Sequence, residues 1–165
     1  MTDSSSLSIT AACETDVPLI LSLINELADY ERLRHESVAT EASLNDALFG
    51  SKPGAEAVIA RVGAEPAGFA LFFHNFSTFL GRRGLYLEDL FVRPAFRGRA
   101  IGKSLLSYLA ALAVERGCGR FEWQVLDWNQ PARDFYERLG AKANSSWVSY
   151  RMTGEALKRL ADGRS

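Results

Sequence analysis

The sequence predicts an α/β fold, α+β in the sense that its sheet is mixed. Three observations lead there. The runs "AEAVIARV" and "AGFALFFHNF" flank a "GAEP" turn, which makes an antiparallel hairpin. Two later strand-like runs, "GLYLEDLFVRP" and "RFEWQVL", are separated by a long amphipathic helix, the pattern of a βαβ crossover and parallel pairing. The length, 165 residues, suits a single domain with a substantial core, expected over about residues 7–161.

The elements follow in order. Leu7 to Ala12 alternates and reads as a first strand. In "ETDVPLILSLINELADYERL", Thr15 or Asp16 can cap and Pro18 suits a first helical turn. Leu19, Leu23, Ile24 and Leu27 then recur at helical spacing. Thr40 caps a shorter helix that stops at Gly50. After the hairpin, "GLYLEDLFVRP" is a strand ended by Pro94, which has no N–H for a ladder. "RGRAIGKS", Arg97 to Ser104, opens a helix. Its apolar face is Ile101, Leu105, Leu109 and Leu112, and Gly117 ends it. "RFEWQVL" is the next strand. Asn129 then caps a short helix with Pro131 in its first turn and Gly140 at its end. "SSWVSYRMT" reads as a last strand and "GEALKRLA" as a short terminal helix, while the first and last few residues read as disordered.

Composition excludes several classes. A net charge of −1 gives no electrostatic case for nucleic acid. No apolar run is long enough to span a bilayer. "MTDSSSLSIT" lacks the basic and then apolar pattern of a signal peptide, so the expectation is a cytoplasmic protein. Cys13 and Cys118 lie far apart and read as reduced thiols. His35 and His74 are isolated, and no metal site is expected.

The octet "RGRAIGKS" ends like a phosphate-binding loop. A P-loop needs a glycine five positions before its Gly-Lys pair; Arg97 stands there, and the glycine comes one place late, at Gly98. That register argues against a nucleoside triphosphatase. A glycine-bearing turn that opens a helix still presents free N–H groups and the positive end of the helix dipole. If the flanking strands are parallel neighbours, their C-terminal ends open on the same side as this helix start, where ligands of such sheets bind. Asn129, which caps the next helix or reaches a ligand amide, and the Tyr136 phenol converge there in this reading.

These residues carry a resemblance. "VRPAFRGRAIGKSLL" is similar to the acyl-CoA-binding motif of the GNAT N-acetyltransferases, and "NQPARDFYERLGA" resembles that family's following motif. "LINELADYE", "YLEDLFV" and "DWNQPARDFYERLGA" resemble segments of its spermidine/spermine (diamine) and thialysine subgroup. The resemblance implies a GNAT-like acyl-CoA N-acyltransferase fold and transfer of acetyl from acetyl-CoA to a small cationic amine, without a metal. The backbone of Leu90, Phe91 and Val92 would pair with the pantetheine arm. Arg97, Gly98, Arg99, Ala100, Ile101, Gly102 and Lys103 would hold the pyrophosphate, and Asn129, Gln130, Pro131 and Ala132 would contact the cofactor further along. Tyr136 would be the general acid, and Tyr30, Glu31 and Glu88 would contact the amine. Relatives in the subgroup are dimers, so a homodimer is expected.

Some alternatives stay open at this level. Glu88 and Asp89 are adjacent on a strand, so one faces the cleft and the other does not; Glu88 is favoured as substrate ligand and proton acceptor, with Asp89 the alternative. Ala100 replaces a glycine of the signature, which matters only if its backbone needs a positive φ. The acids Glu26, Asp29, Glu31 and Glu36 form either a solvated helix face or part of an amine site. The rival functions are a non-catalytic acyl-CoA sensor and a P-loop-type nucleotide-binding protein.

Overall fold

The punctuation of the sequence sets most element boundaries in the structure, a computed structural model that describes residues 6–163. The chain divides after Gln124 into two compact units. The ends expected to be disordered lie largely outside the described residues.

The first unit contains β1 (Leu7–Ala11), α1 (Val17–Tyr30), α2 (Glu41–Phe49), β2 (Glu56–Val62), β3 (Glu65–Ser77), β4 (Arg82–Val92), α3 (Ile101–Glu115) and β5 (Phe121–Trp123). Pro18 sits in the first turn of α1, where its missing N–H costs nothing. Thr40 caps α2 through its hydroxyl, which accepts from the Ser43 N–H at 3.1 Å. Gly117, at φ 68°, closes α3, and the Cys118 N–H then donates to the Ala113 carbonyl.

The five described strands lie in the order β1-β2-β3-β4-β5. The first three pairings are antiparallel, and β4 with β5 is parallel. This is the mixed sheet with one crossover that the sequence predicts. One face packs on α1 and α2 through Ile20, Leu23, Leu27, Leu44, Phe69 and Phe91. On α3, Ile101, Leu105, Leu109 and Ala113 are buried at helical spacing.

Two departures matter. The strand expected from "RFEWQVL" is only three residues long and pairs with β4 at Leu85, Tyr86 and Leu87. The next residue of β4, Glu88, has no cross-strand partner: the register with β3 steps from Phe72↔Leu87 to Leu71↔Asp89. This is a β-bulge, which bends and twists its strand. The parallel ladder ends where the bulge begins. The bulge also inverts the alternation of side chains along β4. Leu90 and Val92 approach Gly102 of α3, whereas Phe91 and Leu71, the partner of Asp89, belong to the α1–α2 side.

The second unit carries α4 (Gln130–Arg138) and α5 (Gly154–Ala161). The last strand expected over 145–153 does not form among the described residues. The segment is extended coil with Trp147, Val148 and Tyr150 exposed. Apolar alternation marks what a strand could bury; the strand itself exists only where a neighbour completes its ladder.

Candidate active site

Beyond Leu87, β4 is an open edge. It keeps its pairing with β3 as far as Val92 but has left β5. The Arg93 N–H donates to the Ala67 carbonyl of β3 at 2.8 Å. The Val92 carbonyl, on the opposite side of that trans peptide, therefore points away from β3, and the Val92 N–H shares its direction. Leu90 to Val92 thus offer backbone donors and acceptors on the side where a strand is missing.

The octet follows at once. Gly98 has φ 77°, and Ala100, the N-cap of α3, has φ 58° and ψ 15°. The question raised by Ala100 is thereby answered: it holds a left-handed backbone at a cost of about 1 kcal/mol that glycine would avoid. This places Ile101, Gly102 and Lys103 at the start of the helix. The Ser104 N–H makes its bond to the Ala100 carbonyl at 2.9 Å, so the three N–H groups before it have no acceptor within the helix. The N-cap residue, Ala100, has no side chain that can cap them. A Cβ on Gly102 would come no closer than 3.9 Å to Leu90 and Val92, so the helix start can be approached from outside. An uncapped helix start beside an open strand edge fits a diphosphate continued by an amide-bearing arm. Among the described residues no cluster of His, Cys, Asp and Glu could hold a metal.

The acidic side is built from the end of α1 and the bulge. Tyr30 is the last residue of α1, and Glu31 caps its C-terminus. Glu88 is exposed, whereas Asp89 is largely withdrawn from solvent. Burial first, then the charges of Glu88 and Glu31, push the Asp89 carboxyl up to about 6. Burial raises the Glu31 carboxyl as well. Arg34 pairs with Asp29 at 3.8 Å and His35 with Glu36 at 3.8 Å, but no cation pairs with Glu31, Glu88 or Asp89 among the described residues. The reading of these charges as a possible amine site narrows accordingly: among the described residues Glu26, Asp29 and Glu36 have ion-pair partners, and Glu31 forms no salt bridge.

Glu26 has another duty, which the sequence did not disclose. Its carboxylate takes both arms of Arg93, Nε at 3.0 Å and Nη2 at 2.7 Å, and Arg93 Nη1 donates to the Pro66 carbonyl at 3.1 Å. These bonds hold the Glu26 carboxyl below the usual range. They tie α1 to the end of β4. The only signal was an arginine directly after a strand, which has many other meanings. His74 proves equally engaged. Its Nδ1 lies 2.9 Å from the Gly84 carbonyl, and its Nε2 lies 2.9 Å from Arg116, which forks onto Glu56. Cys118 lies beside this ring, with Sγ 3.8 Å from Nδ1.

The basic side chains of the octet fold back on the protein. Arg97 lies 4.8 Å from the ring centroid of Tyr30 and 5.8 Å from that of Phe91, and its Nε donates to the Val92 carbonyl at 3.1 Å. Arg99 covers Phe96 at 5.6 Å, and Lys103 is exposed. In the second unit, Asn129 caps α4 through its side-chain oxygen, which accepts from the Ala132 N–H at 3.4 Å. Pro131 sits in the first turn, and Gln130 donates to Asp134 at 2.6 Å. Tyr136 is half-buried on α4, its ring 5.5 Å from that of Phe135. The structure thus joins the first-unit candidates into one region and gives the second-unit candidates their places on α4.

A mixed sheet opened at a bulge, with a free helix start beside the opening, is a fold that accommodates an acetyl-CoA-dependent N-acetyltransferase, the class that the family match shows. The chain belongs to the Acetyltransferase (GNAT) family, whose profile matches residues 20–141, and the family uses acetyl-CoA. It is 37% identical over 164 residues to the thialysine N-epsilon-acetyltransferase of Sus scrofa, covering 93% of this chain and 96% of that one. It is 34% identical over 197 residues to an L-ornithine N5-acetyltransferase of Arabidopsis thaliana, covering 92% and 86%. Among solved structures it resembles an integron cassette protein from the mobile metagenome of V. cholerae. That match has a TM-score of 0.80 and 28% identity, covering 94% of this chain and 98% of the other.

Proposed function

We propose that this protein acetylates the primary amine of a small acceptor that carries further positive charge: a polyamine, a diamine, or a thialysine- or lysine-like amino acid. The observation that carries the reading is the set of three carboxylates, Glu31, Glu88 and Asp89, which form no salt bridge among the described residues and lie close enough for Glu31 and Glu88 to act on Asp89. A cluster of carboxylates without salt bridges suits an ammonium group. The names of the relatives, which include thialysine, L-ornithine and a spermidine/spermine acetyltransferase-like protein, support the same class.

Acetyl-CoA, when bound, supplies the activated thioester. The chain's own residues do the rest. The N–H groups of Ile101, Gly102 and Lys103 would hold the diphosphate, and Asn129 to Ala132 would contact the cofactor further along. The peptides of Leu90 to Val92 would align the pantetheine arm, and the Val92 N–H would polarise the thioester carbonyl. An alkyl ammonium has a pKa near 10 and must lose a proton before it can attack. Glu88 would take that proton through water, leaving a neutral amine beside the thioester. The Tyr136 phenol would supply the proton that the thiol product needs and be restored from solvent.

A second reading exchanges Glu88 for Asp89 as the proton acceptor. It rests on Asp89 being the withdrawn carboxyl whose ordinary value is raised toward neutrality, where a base accepts and returns protons most readily. The whole chain acts as one catalytic domain in the cytoplasm, as a homodimer. The exposed aromatic segment around Trp147 and Tyr150 is the candidate contact. The experiment is a CoA-release assay with spermidine, 1,3-diaminopropane, L-ornithine and thialysine. Turnover of at least one supports the reading, and turnover of none overturns it.

A further inference from the structure

The side chain of Arg97 stands where two ligands would go. Its guanidinium lies 4.8 Å from the centroid of the Tyr30 ring, at the end of α1 where Glu31 follows. Its Nε fills the lone pair of the Val92 carbonyl at 3.1 Å, on the open edge of β4. No carboxylate pairs with it among the described residues. It is therefore a cation held by one ring face, a more distant second ring and a single carbonyl. A cation–π contact at such a half-open site is worth about 0.5–1 kcal/mol, so release costs little. The helix start that would take a diphosphate begins only four residues further along.

We infer that Arg97 is an internal placeholder shared by the two substrate sites. In the free protein its guanidinium occupies the cation position on Tyr30 and closes the edge of β4. A diphosphate at the start of α3 draws it away, and both positions open together. The inference rests on the acetyltransferase reading and adds a coupling to it. A cationic acceptor meets a like charge on Tyr30 until CoA is bound, so CoA raises the affinity for the amine. By linkage, the amine raises the affinity for CoA by the same factor. The size follows from the contact that must be vacated: about fivefold, from a cation–π contact of about 1 kcal/mol.

Two measurements on the full chain test this. The first follows the Arg97 Nε–H resonance, identified by its loss in Arg97→Lys, as CoA is added. Its hydrogen-bonded, ring-shifted position in the free protein should be lost on saturation. The second is calorimetry of the best-turned-over amine among thialysine, L-ornithine and spermidine, with and without CoA. Wild type should bind it about fivefold tighter with CoA. Arg97→Met should bind it in the free state about as tightly as the CoA-loaded wild type, with CoA adding less than about 1.5-fold. An Arg97 resonance that CoA leaves in place, or an equal CoA effect in wild type and Arg97→Met, overturns the placeholder while leaving the acetyltransferase reading intact. Failure to bind CoA, or to turn over any amine, overturns the acetyltransferase reading itself.

Discussion

Glu31, just past the end of α1, and Asp89, on β4, come from elements far apart in sequence, yet the charge of Glu31 helps to keep Asp89 protonated. Burial is the larger cause, and Glu88 adds to it. The folded Asp89 carboxyl titrates at about 6, above its value in an unfolded chain. Its contribution to stability is therefore complete below about pH 4 and is lost as pH rises through 6. Asp89→Asn cannot ionise. Above pH 7 it should be more stable than wild type by about 3 kcal/mol, a difference that closes toward pH 4. Denaturant titrations of both proteins at pH 4, 6 and 8 measure this. A pH-independent difference would show that Asp89 does not carry the shift.

Activity separates Glu88 from Asp89. Glu88→Gln should raise KM for the amine more than for acetyl-CoA, and lower kcat if this carboxylate relays the proton. If Asp89 is the acceptor, the fall in kcat should appear in Asp89→Asn, together with loss of a titration near pH 6 from the kcat/KM profile. Steady-state kinetics of the two variants across pH makes the choice.

Gly102 tests the cofactor loop by charge. Its Cβ position is open, 3.9 Å from Leu90 and Val92. Gly102→Ala should therefore fold normally and bind CoA within a few-fold of wild type. Gly102→Asp should lose about tenfold or more, because a carboxylate is set against the diphosphate at the helix start. Calorimetry with CoA measures both; equal affinities would move the diphosphate elsewhere.

Much of this region is legible in the sequence because its signals are local. Thr40, Pro18, Asn129 and Gly117 act within one turn of where they stand. The octet carries its own glycine and a helix face immediately after it. The bulge at Glu88 is not legible, because it is a relation between two strands, and the period of β4 alone gives no sign that it inverts. The same holds for the Glu26–Arg93 clamp, whose partners lie 67 residues apart. The unformed strand over 145–153 errs in the other direction: its alternation is real, but a ladder is a property of pairs.

Ala100 offers a gain instead of a loss. Its φ of 58° is strained for alanine. Ala100→Gly should raise stability by about 0.5–1 kcal/mol, the relief exceeding the extra freedom of glycine in the unfolded chain. Thermal unfolding should shift upward by about 2–4 °C, with CoA affinity unchanged or improved. A lower melting temperature would mean that the alanine methyl makes a contact worth more than the strain.

Tyr136→Phe removes one hydroxyl and keeps the ring. Fold and CoA affinity should be nearly unchanged, and kcat should fall about 10²-fold, the low end for general acids, because a thiolate leaves readily. CoA-release kinetics at several pH values measures it. A kcat within about twofold of wild type, with chemistry rate-limiting, assigns the proton to another donor.

The open stretch of β4 has a consequence for how the protein behaves in bulk. A strand edge with free peptide groups is a template for the same edge of another molecule, and such templates seed precipitation. Here the exposed stretch is short, Glu88 places a negative charge at its head, and Arg97 caps the Val92 carbonyl near its end. These are the devices by which sheets guard their borders. Shelf life and the yield of concentrated stock should accordingly depend on whether the protein is stored with CoA, which would cover the border that these two side chains only partly protect.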